Sequence, residues 1–271
     1  MSTVNIFELF GYRFFQNALV GGIIAAAACA AVGLFLILKK EAMIGDGIAH
    51  TAFGGIALGL LFGVNPLLTA LGAAVLAVLG VSYIRRKGVA PSDSAIAIML
   101  TLGFSVGLIV ISVAGGFNVE LFSYLFGSIL TIDVADLLLV SLLGVLVLLF
   151  LGFFRRELLS MVFDEADSRV MGIPTSAFSL AFDLLVAATI VLSIKVIGTI
   201  LVVALLVLPG LSALQLSLSF RKTIFAAIGF SMISTVLGIL FSAALDVATS
   251  GLIVFVSILF FMLTMAYKKL Q

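Results

Sequence analysis

Charge is scarce in this chain. Of its 271 residues only 10% are Asp, Glu, Lys or Arg, whereas 63% are hydrophobic. Average soluble domains run at about 25% charged and about 45–50% apolar. With a mean hydropathy of +1.40, no soluble core could hide this much apolar surface, and lipid must be the solvent for most of it. The formal net charge is +1, which excludes a nucleic-acid partner that would need a basic face. A single cysteine, Cys29 in an Ala-rich run, excludes an internal disulfide and reads as a small buried hydrophobe. There is one histidine, His50. No G-x-x-x-x-G-K-[ST] run is present, so nothing here cradles ATP by a phosphate loop, and no H-E-x-x-H marks a metalloprotease. The chain is therefore expected not to be an enzyme, and energy for any transport must come from a partner or an ion gradient. No low-complexity linker or soluble domain interrupts residues 1–271, which read as one transmembrane unit.

What is abundant is long apolar runs. A spanning helix needs about 20 mostly apolar residues. Nine runs qualify, near 17–38, 44–63, 66–84, 94–114, 135–154, 176–194, 196–219, 223–245 and 250–267. Only Lys195 and Gly198 separate the sixth from the seventh, so the expectation is an all-α bundle of 8–9 transmembrane helices. The apolar run Ala18–Leu38 is followed, not preceded, by Lys39 and Lys40, which is the wrong order for a secretory signal. Ile6, Phe7, Phe10 and Phe14 fall at helical spacing, which predicts an interfacial amphipathic helix over residues 1–16.

Basic residues come in five clusters: Lys39–Lys40, Arg85–Lys87, Arg155–Arg156, Arg221–Lys222 and Lys268–Lys269. Two runs separate each cluster from the next, so all five fall on one face of the membrane. The positive-inside rule makes that face cytoplasmic. The N-terminus is then outside and the C-terminus cytoplasmic, in a multi-pass protein of a cell membrane. Gly55, Gly59 and Gly63 recur every fourth residue, as do Gly103 and Gly107, a spacing that lets helix backbones approach in lipid.

Two connections exceed a tight turn. The outer one, Gly115 to Val134, holds Phe122, Tyr124 and Phe126, aromatics suited to a short re-entrant or surface helix. The cytoplasmic one, residues 155–175, contains Asp164, which can cap a helix start, and then Gly172 and Pro174, which stop one. It should hold a two-turn helix. Asp133 and Asp136 are placed to cap the fifth run, Asp93 the fourth, and Asp246 to end the eighth. Lys195 is expected to reach outward to the interface. Asp183, in the sixth run, is open between a structural bond and function. Pro209 lies inside the seventh run, where it should kink or break a helix and could line a path.

Between residues 43 and 84 the only ionisable side chains short of Tyr83 are Asp46 and His50. Four apart, they share one helical face. A carboxylate at a helix centre costs roughly 2.5–3.5 kcal/mol, so ionisable groups at depth usually face a bundle interior or an ion route. Carboxylate oxygen with imidazole nitrogen suits Zn²⁺ or Mn²⁺. Two readings stay open on these residues alone: an Asp–His hydrogen bond locking two helices, or a metal site. Two ligands make a weak site, and a homodimer would supply four.

At several stretches the chain resembles the membrane subunits of zinc and manganese ABC importers. Gly45-Asp46-Gly47-Ile48-Ala49-His50-Thr51-Ala52 is similar to that family's G-D-x-[LI]-[AS]-H segment, and Tyr124-Leu125-Phe126-Gly127-Ser128-Ile129-Leu130 to its Y-L-F-G-D-[IL]-L, with Ser128 for the usual Asp. The Asp164–Pro174 loop resembles F-D-x-x-x-A-x-x-x-G-[ILV]. Val196-Ile197-Gly198 through Pro209 resembles the V-V-G run that ends in proline, with Gly210 for the usual Ala, and Ser250-Gly251 lacks the proline that follows in relatives. The resemblance implies a fold like the membrane domain of the vitamin B12 importer. It implies metal ligation by Asp46 and His50. It implies that Asp164, Glu165, Ala166, Arg169, Val170 and Gly172 form a helix coupling to an ATPase. The partners it implies are a second copy of the chain, cytoplasmic ATP-binding subunits and an extracytoplasmic metal-binding protein, in a prokaryotic inner membrane. The cargo would be Zn²⁺ or Mn²⁺, with zinc favoured by the imidazole and by the Tyr124–Leu130 run, and no cofactor would be permanently bound. The alternative is a gradient-driven secondary transporter using Asp46 and His50 as a proton relay.

Overall fold

A computed structural model describes residues 11–116, 119–127 and 132–270. The described chain is helical throughout: α1 (Arg13–Leu38), α2 (Met43–Phe62), α3 (Pro66–Lys87), α4 (Ser92–Val113), α5 (Val119–Phe126), α6 (Val134–Phe153), α7 (Arg155–Phe163), α8 (Glu165–Val170), α9 (Thr175–Ile197), α10 (Thr199–Gln215), α11 (Phe220–Leu245) and α12 (Thr249–Leu270). Among the described residues eight helices are long and apolar enough to cross a bilayer. The seventh expected run, 196–219, is α10, which at 17 residues is shorter than those eight. A single residue, Gly198, separates α9 from α10, at φ +84°, a backbone that a side chain rarely adopts.

Burial follows composition. α1 is Ala- and Gly-rich, apolar all round and enclosed on nearly every side, as such a helix must be. It packs against α6, α9, α10 and α11. Its Gly33 lies so close to the Leu206 carbonyl of α10 that a Cβ there would collide with it. A second group forms around α2, which packs on α3 and α4. Gly55 and Gly59 lie against Ala70 and Pro66 of α3, and Gly103 and Gly107 of α4 against Thr51 and Phe53 of α2. Gly63 does something else: at φ +65° it terminates α2. In contrast α6 leaves Leu138, Leu142, Leu146, Leu149 and Phe153 exposed at helical spacing, an uncovered apolar stripe.

Several expected details differ. Arg13 to Gln16 belong to α1 and continue straight into the span, so the interfacial helix does not cover residues 13–16; its remainder, residues 1–10, and Ser128–Leu130 lie outside the described residues. The loop over 155–175 holds two helices, α7 as well as the capped α8. Asp93 sits in the first turn of α4 rather than at its N-cap, which is Pro91. Pro209 does not break α10, which runs on to Gln215; the interruption falls instead at Gly198. Lys195 does not reach outward but pairs with the buried Asp136 of α6. Asp133 and Asp136 cap α6 as a reciprocal box, and the Asp136 backbone N–H holds the Asp133 carboxyl below its usual pKa. Asp246 ends α11, and Cys29 is buried, its thiol 3.6 Å from the Ser193 hydroxyl.

Candidate metal path

α2 starts just after the Lys40–Glu41 turn, and its first two turns carry Asp46 and His50 on one face. His50 Nε2 stands 3.4 Å from Asp46 Oδ1, with side chains 39% and 31% exposed. That separation exceeds a well-formed N–H···O bond of about 2.7–3.2 Å. The pair is neither sealed in a dry contact nor closely bonded to itself. The Phe104 ring of α4 and the His50 ring meet at near right angles, 5.3 Å between centroids, a contact that restricts the imidazole plane. Asp46 and His50 open into a cavity of about 290 Å³ walled by Phe53, Phe104, Leu125, Ile200 and Val203.

One end of this cavity is built by backbone. Thr199 Oγ1 donates to the Leu125 carbonyl at 3.2 Å. A Cβ on Gly198 would lie 2.4 Å from the Gly127 amide nitrogen, and one on Gly127 would lie 2.7 Å from the Ile197 carbonyl carbon. The end of α5 is thereby pinned to the α9–α10 junction. Among the described residues no third His, Cys, Asp or Glu joins the pair in a metal-sized group. The chain thus offers one carboxylate and one imidazole, facing open space.

The proposed coupling residues are brought together elsewhere, at the α8 end of the molecule. The Asp164 carboxylate accepts the Ala166 and Asp167 backbone N–H groups at 2.8 and 3.0 Å, and so starts α8. Glu165 pairs with Arg169 at 2.7 Å along the exposed side. Arg169 Nε also donates to Thr175 Oγ1 at 2.9 Å, tying α8 to the first residue of α9. Gly172 at φ +86° ends α8, with its N–H on the Arg169 carbonyl and the Ile173 N–H on the Ser168 carbonyl. Ala166 is exposed, and Val170 is 87% exposed beside bare Phe163 and Met171. Pro209 is buried and does not wall the Asp46–His50 cavity. Sequence reasoning missed Phe104, Thr199 and Leu125, whose positions depend on tertiary packing and leave no local signature.

A model of the ABC 3 transport family matches residues 11–268. The manganese transport system membrane protein MntC of Halalkalibacterium halodurans is 32% identical over all of this chain and 94% of its own length. The probable iron transport system membrane protein of Haemophilus influenzae is 30% identical over 98% of each chain. Among solved structures, PsaBC from Streptococcus pneumoniae in complex with Fab superposes with a TM-score of 0.86 at 31% identity, covering 98% of both chains. An inward-facing metal-chelate type ABC transporter shares the fold at a TM-score of 0.70 and 16% identity, covering 93% of this chain and 86% of its own. With a family match across nearly its whole length, relatives over 30% identical end to end and a bundle of the same architecture, the chain belongs to the ABC 3 transport family, as an integral membrane permease of metal-ion ABC importers.

Proposed function

We propose that the chain, as one permease unit over residues 1–271, forms with a second copy of itself the path by which a divalent transition-metal ion enters the cell, and that Asp46 and His50 ligate the ion in transit. The observation that carries this reading is the open Asp46–His50 pair. A carboxylate and an imidazole 3.4 Å apart, a third exposed and facing a cavity, are poised for a cation rather than for each other. Two ligands hold an ion weakly, and two protomers about an axis supply four. A weak, shared site suits conduction, because the ion must leave. Cytoplasmic ATP-binding subunits drive the cycle. They dock on α8 through Glu165, Ala166, Arg169 and Val170, with Asp164 and Gly172 setting its ends. An extracytoplasmic metal-binding protein delivers the ion. The N-terminus is outside and the C-terminus cytoplasmic, as the five basic clusters require.

On cargo, the imidazole favours zinc, while relatives carry manganese and iron in their names. We rank manganese first, because a relative named for it matches end to end, and zinc second, on the imidazole. The test is uptake of Mn²⁺, Zn²⁺ and Fe²⁺ into proteoliposomes holding permease and ATPase. ATP-dependent uptake that His50→Ala abolishes, with basal ATPase retained, supports the proposal. Uptake by the permease alone, driven by a pH gradient, overturns it in favour of a secondary transporter.

A further inference from the structure

Away from the Asp46–His50 cavity, four charged side chains meet inside the helix bundle: Lys39 at the end of α1, Glu41 just before α2, Arg85 in the last turn of α3, and Asp183 in α9. All are largely buried, Asp183 most of all. Their charges cancel, as a group in a low-dielectric interior must arrange. The geometry is lopsided. Lys39 Nζ and Arg85 Nη1 each lie 2.9 Å from Glu41, whereas they stand 3.8 and 3.9 Å from Asp183. Asp183 Oδ1 is buried without a hydrogen bond, and so are Arg85 Nε and Nη2. Both cations therefore lie nearer Glu41 than Asp183, although only Arg85 hydrogen-bonds it: Glu41 Oε2, like Asp183 Oδ1, is buried without a hydrogen bond. A displacement of α9 by about 1 Å would let Asp183 take them.

The two carboxylates belong to different working parts. Asp183 lies on α9, whose face toward the cluster also holds Ser179, which accepts from Lys39 at 3.0 Å, Phe182 beneath the Lys39 ammonium, and the Ser176 carbonyl, which accepts from Arg86 at 3.2 Å. The same helix begins at Thr175, bonded to Arg169 of α8. Glu41 lies in the turn that leads directly into α2, five residues before Asp46, and its carbonyl accepts the Ile44 N–H at the start of that helix.

We infer that Lys39, Glu41, Arg85 and Asp183 form a two-position charge switch that transmits movement of α8 and α9 to α2, and so to the ion ligands. The inference rests on the import reading above. In the present arrangement both cations lie nearer Glu41, which ties the start of α2 to α1 and α3. When the ATPase moves α8, α9 carries Asp183 toward the cations, they are shared or exchanged, Glu41 is released, and α2 is free to reorient. The two carboxylates share the same two cations, so a shift of Lys39 and Arg85 toward one loosens their hold on the other, and the exchange is coupled rather than independent. These are positioning residues: none touches the ion.

The test uses the permease–ATPase complex with a cysteine-free ATPase. A fluorophore sits on Met43→Cys, the exposed first residue of α2, since Cys29 is buried. The parent signal should move between two levels, without nucleotide and with ATP plus vanadate. Asp183→Asn should hold it at the first level with nucleotide present, cutting the response at least about fivefold. Glu41→Gln should do the reverse and hold it at the second level without nucleotide. Asp183→Glu should restore most of the response. A merely structural cluster would give both variants the same sign, with loss of assembly and basal ATPase in proportion. Equal-sign effects, a full response in Asp183→Asn, or a parent signal that nucleotide does not move would each overturn the inference. If Asp183→Asn fails to assemble, the locked level in Glu41→Gln decides. Metal uptake measured on the same vesicles separates the two claims: opposite-sign locking in a complex that imports no metal sinks the import reading and leaves the switch.

Discussion

Gly103→Ala is the most economical test of how the site is held. The backbones of α2 and α4 meet at Gly103, where an added Cβ would lie 2.4 Å from Thr51 Cα and 2.7 Å from Thr51 Oγ1. Non-bonded carbons rest at about 3.5–4.0 Å, so the helices have to part by about 1 Å. Thr51 cannot turn aside cheaply, because its hydroxyl bonds the Gly47 carbonyl at 2.9 Å and the Met99 carbonyl at 3.2 Å. Overpacking of this kind costs about 1–3 kcal/mol. The next residue, Phe104, sets the His50 ring, so the same shift should disturb the ion ligand. The control is Gly72→Ala on α3, where a Cβ meets nothing within 4 Å. There the better helix former should be neutral or stabilising by up to about 1 kcal/mol. Thermal unfolding in detergent, followed by size-exclusion, should show Gly103→Ala melting several degrees below Gly72→Ala, and uptake should fall further than stability alone explains. Equal melting temperatures for the two variants would refute the packing argument.

Other consequences are as direct. Asp164→Ala removes the cap of α8 and should cost about 0.5–2 kcal/mol of local stability; titration with the ATPase should show weakened binding while the spans, read by circular dichroism, are unchanged. Lys195→Met leaves the buried Asp136 carboxylate without its cation, a change that costs about 3–5 kcal/mol where a pair is fully buried, and less here because Lys195 is partly exposed; Lys195→Met with Asp136→Leu should regain most of the lost melting temperature. Gly198→Ala places a side chain at φ +84° and against the Gly127 backbone; it should separate α5 from the α9–α10 junction, seen as faster hydrogen exchange in residues 121–127.

How much of this was legible in the sequence depended on range. Asp46 and His50 are four apart on one helix, so their shared face could be read directly, as could the Asp164 cap and the Gly172 stop. The spans showed because lipid demands unbroken apolar runs. The short α10 was harder, because a lone glycine marks its start and Pro209, the stronger local signal, falls inside the helix. The pairing of Lys195 with Asp136, 59 residues apart, was invisible, and a lysine near a span end read naturally as reaching for water. The charge cluster draws on α1, α3, α9 and the turn before α2, and no window along the chain contains it. α7 was missed because its two arginines read as a membrane-edge cluster rather than as a helix start.

The central claim is that the imidazole and carboxylate of α2 take hold of the passing ion. X-ray absorption on the assembled transporter, arrested with vanadate and loaded with Mn²⁺ or Zn²⁺, reads the ligands around the metal. The account predicts imidazole scattering in the parent, lost in His50→Gln while bound ATPase is unchanged. An identical metal environment in both proteins would contradict it.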